Sequence, residues 1–398
     1  MNHPGSRPLI AGSALSQLGN WVNVTAVMIL LQQDHGAAAV ALYFLIRTVP
    51  PVLLARPIVT LVPVRLVGRF WAGSQVTLAV TMAGLAFVAD DVVALLVLLG
   101  FAGVLQSVAS SWLMQIAETV AGEDRRSVIT AVSTGTSVAV VAGPSLGGAL
   151  AFLGGLFPVF MFDAATFVAA ILLVPWARAT GLRASGTPAT GYRSALRGVV
   201  RSLSPLHPAG SPGLRSLALF WILFGLFGGV LTVTETPVLS DMKAFDANEI
   251  GLTISAYGLG GLLVFIASTF FGFSTDRLAC ASVLVVGLAL WAVFDDGVVY
   301  AAFFIIGLGY SLVNSAVRVS FGDLFATSST PVSESWAWVN QLSLLTSVVS
   351  YLTGLIYFSL TSQPAPMLVL VVALSVVCAG CGVVWDNRAR ALSSLSDS

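Results

Sequence analysis

Charge is scarce in this sequence. Only 9% of its 398 residues are charged, whereas 57% are hydrophobic, and 18 basic residues balance 18 acidic ones. A chain without net positive charge lacks the basic surface by which proteins attract nucleic acids, so no nucleic-acid partner is expected. The composition instead favours a chain that crosses a lipid bilayer many times.

Cysteine and histidine are scarce as well, with three of each. All three cysteines lie in or beside apolar runs, so no disulfide framework is predicted, and the C-x-x-C pair Cys378/Cys381 is interpreted as small helix-packing residues. A Walker-type phosphate loop is also missing, which argues against an ATP-driven pump. No metal site and no cofactor are therefore predicted.

Long apolar runs, in contrast, recur from one end of the chain to the other. Each is roughly 20 residues long, enough to cross a bilayer as an α-helix, whereas a transmembrane β-barrel would show shorter, alternating segments. The first run is longer than a signal peptide and has no convincing cleavage site, so it counts as a span. The sequence predicts an all-α membrane protein with twelve transmembrane helices, at residues 9–31, 38–62, 72–89, 92–117, 128–153, 158–177, 215–239, 249–272, 278–294, 298–318, 336–360 and 366–385.

Basic residues between these spans fall on one side of the predicted membrane. If the N-terminus is cytoplasmic, every Arg outside the spans lies on the cytoplasmic side, and the outer loops hold Lys243 as their only basic residue. Because Lys and Arg are retained on the cytoplasmic side, both termini are predicted to be cytoplasmic.

The longest polar interruption separates spans six and seven. Its Gly, Ser, Pro and Arg content is typical of a basic cytoplasmic linker, and residues 192–203 within it could form a short amphipathic helix at the membrane surface. Similar loops, TLVPVRL from Thr60 and GFSTDRL from Gly272, follow the second span of each half. Repeated six-helix halves are typical of secondary transporters. The predicted organisation is an N-terminal lobe at 1–177, a linker at 178–214 and a C-terminal lobe at 215–398.

Residues 143–147 fit the G-x-S-x-G pattern of serine hydrolases, whose nucleophile follows a strand and precedes a helix. The preceding stretch is too long for one strand and continues the predicted span. A triad of Ser145, Asp163 and His207 would have to cross the bilayer, so an enzyme is not expected. Gly143, Pro144, Gly147 and Gly148 instead suit a bent, closely packed helix that acts as a hinge or seal.

Several segments resemble a known family. GPSLGGAL at 143–150 resembles the antiporter motif in the fifth helix of drug exporters of the major facilitator superfamily. SQLGNW at 16–21, IRTVPPVLLARP at 46–57, FDAATFVAAILL at 162–173 and residues 272–277 are similar to the macrolide and siderophore exporter branch.

The resemblance implies the major facilitator fold in the inner membrane of a bacterium, and proton-driven export of an antibiotic or other natural product by a monomer. The sequence departs from the branch at Thr60 and Val64, which replace a loop glycine and aspartate, and at Asn20, which replaces an acid in the first helix. The equivalent second-half loop keeps Gly272, Asp276 and Arg277, which are expected to act in gating.

Intramembrane charges are costly, so the few that occur are functional candidates. Glu235, Asp163 and Arg47 are the candidates for proton coupling, with Glu235 as the main carrier beside Thr232 and Thr234, whose hydroxyls could bond to it. The alternatives are a wetted outer rim for Glu235, a structural role at a helix end for Asp163 and structural pairing for Arg47.

Uncharged polar residues also interrupt the spans. Ser13, Ser16, Asn20 and Asn23 share one face of the first helix. In the superfamily, helices 1, 4, 7 and 10 line the central cavity, so these groups suggest a pocket that hydrogen-bonds its cargo, with helix-packing or lipid-facing roles as the alternatives. The predicted substrate contacts are Gln17, Asn20, Asn23, Gln106, Phe224, Phe227, Asn314, Asn340 and Gln341.

The function expected from these observations is a secondary active exporter of small amphipathic molecules. Two rivals remain: a proton-coupled importer of a nutrient or chelate, and a transport-inactive scaffold or receptor with the same fold. The scaffold would fit the missing acidic groups at Asn20 and Val64.

Overall fold

The computed structural model describes residues 6–121, 125–176, 212–271, 277–295, 297–326 and 332–396. Almost all of these residues are helical, and no strand occurs among them. Within the helices, the side chains of 6–7, 56–57, 60, 64, 117–137, 212–213, 268–279, 322–323, 325–337, 340–341 and 382–396 lie outside the description.

Twelve α-helices follow one another along the described chain, so the predicted number is confirmed. A π-helical turn, Val238–Met242, continues the seventh, and a short 3-10 helix, Val64–Leu66, precedes the third. The helices are α1 (Ser6–His35), α2 (Ala37–Leu61), α3 (Val67–Val88), α4 (Val92–Ala121), α5 (Arg125–Gly154), α6 (Leu156–Leu173), α7 (Pro212–Pro237), α8 (Ala247–Phe271), α9 (Arg277–Val293), α10 (Val298–Ala326), α11 (Val332–Leu360) and α12 (Ala365–Ser396).

Local chemistry explains several helix ends. Gly36 and Gly155 separate consecutive helices with φ angles of 77° and 67°, a left-handed conformation that glycine adopts without steric cost. At the start of α4, the Asp91 carboxylate accepts the backbone N–H groups of Val93 and Ala94 at 2.9 and 3.1 Å. The glycines let the chain turn between two helices. The Asp91 carboxylate accepts backbone N–H groups that have no acceptor within the helix.

Length and composition suit these helices to a membrane. Among the described residues, nine are long and apolar enough to cross a bilayer, and three shorter apolar segments lie in α5, α9 and α12. Large apolar side chains such as Leu172 and Leu360 point outward, at 80% and 82% exposure, as a hydrocarbon solvent permits. The chain is a multi-pass membrane protein.

The described residues form two compact units. The first draws on the described residues among 1–34, 42–199 and 246–255, and the second on those among 35–41, 200–245 and 256–398. Residues 177–211 lie outside the description, so the linker at 178–214, its amphipathic helix and the exact lobe limits stay predictions.

Each unit has its own core. In the first, α3 packs on α4 and α6, and Trp71, Trp112 and Ile116 lie in one buried cluster. In the second, α9 packs on α10 and α7 packs on α11 and α12. There the Trp291 and Phe303 rings meet edge to face, 5.1 Å apart.

The G-x-S-x-G serine lies inside a helix, because α5 runs without interruption from Arg125 to Gly154. Its hydroxyl donates to the Ala142 carbonyl oxygen at 3.1 Å, the usual bond of a helical serine. A hydrolase elbow needs a strand immediately before the serine, and α5 occupies that place. His207 lies outside the described residues.

Candidate functional site

Arg47 joins three helices of the first unit. From α2, its Nη2 donates to Asn20 Oδ1 in α1 and to Gln106 Oε1 in α4, the latter at 3.3 Å. Its Nη1 donates to the Tyr43 hydroxyl one turn earlier, at 3.2 Å. Among the described residues, all hydrogen-bond acceptors of Arg47 are neutral, and its predicted roles in pairing and proton coupling stay predictions.

Asp163 is buried against α1. Its Oδ2 accepts Asn23 Nδ2 at 2.7 Å, and the Thr166 hydroxyl donates to the Asp163 backbone oxygen at 2.7 Å. The tight packing requires Gly19, because a Cβ there would lie 2.5 Å from Asp163 Oδ1. The helix-end position expected for Asp163 is wrong: α6 begins at Leu156, about two turns earlier.

The polar face of α1 points into the first unit, as the spacing of its residues predicts. Asn20 contacts Arg47, and Asn23 contacts Asp163 and the Met82 sulfur, which lies 3.2 Å away. Ser13 and Ser16 line a cavity further along the same helix. Such a face avoids lipid by finding partners on α2, α3, α4 and α6.

That cavity lies between α1, α3, α4 and α6, and the empty space in it and in the open solvent at its mouth is about 340 Å³. Its polar walls carry no charge, and Trp71 adds an aromatic surface. Gln75 is only 3% exposed, and its Oε1 has no hydrogen-bond partner among the described residues. The sequence analysis missed Gln75, although a glutamine inside an apolar helix is a usable signal. The uncharged polar residues are Ser13, Ser16, Gln17, Gln75, Gln106 and Ser110.

Glu235 is partly buried near the end of α7. The expected bonds from its neighbouring threonines are not formed: Thr232 donates to the Gly228 carbonyl at 2.9 Å, and Thr234 to the Val230 carbonyl at 2.7 Å. Helical threonines commonly bond to the carbonyl four residues back, which explains the difference. Among the described residues, Glu235 has neither a hydrogen bond nor an ion pair.

The phenylalanines of α7 pack inside the second unit rather than toward lipid. Phe224 and Phe227 are 2% and 0% exposed. Phe224 stacks on Tyr310 of α10 with ring centroids 4.7 Å apart, and on Phe220 at 6.4 Å. Gly228 makes room for Tyr310, because a Cβ there would lie 3.0 Å from its hydroxyl. Sequence reasoning missed Tyr310, whose ring packs against both Phe224 and Phe227.

Asn314 of α10 accepts a hydrogen bond from Arg318 Nε at 3.1 Å, and the Arg318 guanidinium lies 5.6 Å from the Trp221 ring centre. Other predicted residues cannot be placed. The side chains of Asn340, Gln341, Gly272, Asp276 and Arg277 lie outside the described residues.

The glycines of α5 permit backbone contact on two sides. A Cβ at Gly147 would lie 2.5 Å from the Val22 carbonyl oxygen in α1, and one at Gly143 would collide with Trp21. Gly148 faces Gly251 in the part of α8 that belongs to the first unit. Next to it, the Ser145 backbone N–H donates to the Ser255 hydroxyl at 2.8 Å.

Comparison with known proteins identifies this architecture. The family model described as Major Facilitator Superfamily matches residues 9–333. No curated protein sequence matches the chain.

Solved structures match over nearly the full length. A bacterial homologue of the iron transporter ferroportin, in an inward-facing state, has a TM-score of 0.71 at 17% identity and covers 97% of this chain and 99% of its own. A nucleoside transporter also has a TM-score of 0.71, at 13% identity with 96% and 99% coverage. A peptide transporter in complex with alafosfalin has a TM-score of 0.71 at 10% identity, with 98% and 95% coverage. At such identities the likeness shows the fold alone.

Proposed function

The chain belongs to the Major Facilitator Superfamily, and from this membership we propose that it is a secondary active exporter of small amphipathic molecules, such as a drug or natural product. It works by alternating access between an N-terminal and a C-terminal lobe in the inner membrane of a bacterium. Both termini are cytoplasmic, and the monomer is the working unit.

The observation that carries transport is the polar cluster around Arg47. Asn20, Arg47 and Gln106 are linked across three apolar helices, next to a cavity with uncharged polar walls. Polar groups at membrane depth are costly and mark substrate pathways. Apolar side chains would be enough to pack these three helices together. The presence of polar side chains instead supports a binding role for the cluster.

The export direction is supported by α5, whose residues 143–150 resemble the exporter motif. The contacts of Gly147 with α1 and of Gly148 with α8 bring backbones together without side chains between them. Smooth, closely packed helix surfaces suit the small sliding motions by which domains open and close. These glycines, with Pro144, govern conformational exchange. Gly272, Asp276 and Arg277 act in gating, as a latch that holds the cytoplasmic side closed.

Proton antiport is the proposed energy source. Glu235 is the main carrier, because an intramembrane carboxyl without an ion pair among the described residues is free to gain and lose a proton. Asp163 is the second carboxyl of the described helices at membrane depth, and it is engaged by Asn23. Arg47 lies near Asp163 and completes the proposed coupling set.

The test uses vesicles of defined orientation. Purified protein is first screened for compounds that raise its melting temperature, since a ligand of the native state stabilises it. A labelled hit is then offered to everted and right-side-out vesicles under an imposed pH gradient. We expect accumulation in everted vesicles with an acidic interior. Uptake only into right-side-out vesicles would favour an importer, and no movement under any ion gradient would favour a scaffold or receptor.

A further inference from the structure

Arg47 carries a charge that no carboxylate contacts in the part of the chain that the structure describes. A guanidinium has five N–H donors. Among the described residues, three donor bonds of Arg47 go to Tyr43, Asn20 and Gln106, all of them neutral, and it forms no ion pair there. Two N–H groups are therefore left without an acceptor in the described part of the chain.

Asp163 does not fill that role. Its carboxylate accepts Asn23 Nδ2 at 2.7 Å and packs against Gly19. Among the described residues, no hydrogen bond and no ion pair joins Arg47 to Asp163. The Asp163 carboxylate therefore occupies none of the guanidinium donors.

The neutral partners of Arg47 orient it without neutralising it. Tyr43 holds Nη1 from one turn away, and the two amide oxygens hold Nη2. A planar guanidinium fixed in this way matches the geometry of a carboxylate, which forms two parallel, charge-assisted bonds with it. A carboxylate adds an opposite charge and a second parallel acceptor, so it is a stronger partner for the guanidinium than an amide oxygen and can displace an amide from Arg47.

Polar side chains that could face the rest of a ligand adjoin one partner of the guanidinium. Gln106 both accepts from Arg47 and lines the small cavity between α1, α3, α4 and α6. On the opposite wall, Gln75 is almost fully buried, with an unpartnered Oε1. The cavity walls are uncharged, so they suit a neutral group that forms hydrogen bonds rather than a second ion.

We propose that Arg47 binds the carboxylate of the transported molecule, and that the cavity next to Gln106 holds a neutral, hydrogen-bonding part of the same molecule. The substrate class is then an organic carboxylate with a polar uncharged body. This inference rests on the proposed transport function. It adds that the transported molecule is negatively charged, which the polar face of α1 alone does not indicate.

Two probes of the same shape test the charge requirement. Binding of 4-hydroxybenzoate and of 4-hydroxybenzamide to the purified full-length protein in detergent is measured by calorimetry at neutral pH. We expect the carboxylate to bind at least about tenfold more tightly than the amide. Equal affinities, or no binding of either probe at millimolar concentration, would overturn the proposal. Inorganic phosphate that competes as well as the carboxylate would also overturn it, because the site would then accept any anion.

Variants locate the effect. Arg47→Gln should lose the preference for the carboxylate over the amide, and Arg47→Lys should keep part of the preference. Arg318→Gln is the matched control, since Arg318 also donates to an asparagine but is exposed and lies in the second unit. If Arg47→Gln does not fold, the Arg47→Lys variant and the probe pair on the unaltered protein decide the question. A preference that survives both Arg47 changes places the carboxylate elsewhere and contradicts the proposal.

Binding in detergent needs no ion gradient and no movement across a membrane. A carboxylate preference without transport in vesicles would therefore reject the proposed function and keep the binding site. Transport of neutral compounds by a protein without this preference would keep the proposed transport function and reject the carboxylate site.

Discussion

Gly148 in α5 and Gly251 in α8 lie backbone to backbone, since a Cβ added to either would come within 2.9 Å of the other's Cα atom. On the same helix, Gly147 next to it meets Val22 of α1, and Gly143, one turn before Gly147, meets Trp21. The glycines of α5 therefore act as a contact surface for two helices. Any side chain placed there must push those helices apart.

Gly147→Leu should abolish transport while the protein still inserts into the membrane. Even the Cβ atom would lie 2.5 Å from the Val22 carbonyl oxygen, so α1 and α5 must separate. Transport in vesicles and the amount of monodisperse protein are the two measurements. Gly84→Leu in α3 is the matched control, because a Cβ at Gly84 meets no atom within 4 Å. Near-normal turnover in Gly147→Leu would count against a gating role for α5.

Asn23→Ala should destabilise the first unit by about 1–3 kcal/mol, because it leaves the Asp163 carboxylate buried without its amide donor. Thermal unfolding of the purified protein measures the loss. In the double variant with Asp163→Ala, the two losses should not add, since both remove the same bond. Strict additivity would show that the contact between α1 and α6 contributes nothing of its own.

Gln75→Met should raise stability by about 1 kcal/mol, because it removes a buried oxygen that has no partner among the described residues. If Gln75 serves substrate binding, the same change should lower transport, so stability and activity move in opposite directions. Thr81→Val on the exposed side of α3 is the control and should change neither. A Gln75→Met variant with unchanged transport would assign Gln75 to packing alone.

The twelve helices were predictable because an apolar run of sufficient length has few other stable forms in lipid. Their ends were harder to place. Span six was expected to start at Pro158, but α6 begins at Leu156, because proline is tolerated in the first helical turn, where its missing N–H is not needed. That shift moves Asp163 from the helix end into the interior.

The partners inside the site could be predicted only in part. The three- and four-residue spacing in α1 correctly placed Asn20 and Asn23 on one face, but which helix each would meet depends on tertiary packing. Arg47 meets Gln106 through close contacts of α2 with α4 that no local pattern specifies. The bonds of Thr232 and Thr234 were mispredicted because helical threonines bond first to their own backbone.

Glu235→Gln should abolish export driven by a pH gradient while cargo binding and gradient-independent exchange persist. Glutamine keeps the size of the side chain but cannot release a proton, so only the coupled step is lost. The measurement is accumulation of labelled cargo in everted vesicles, with and without an imposed gradient, beside exchange of cargo at equilibrium. Thr232→Val and Thr234→Val are matched controls on the same turn. Their hydroxyls donate to backbone carbonyls and not to Glu235, so both variants should remain coupled. If Glu235→Gln concentrates cargo under the gradient as well as the parent protein does, the proton carrier lies elsewhere, and Asp163→Asn becomes the next variant to measure.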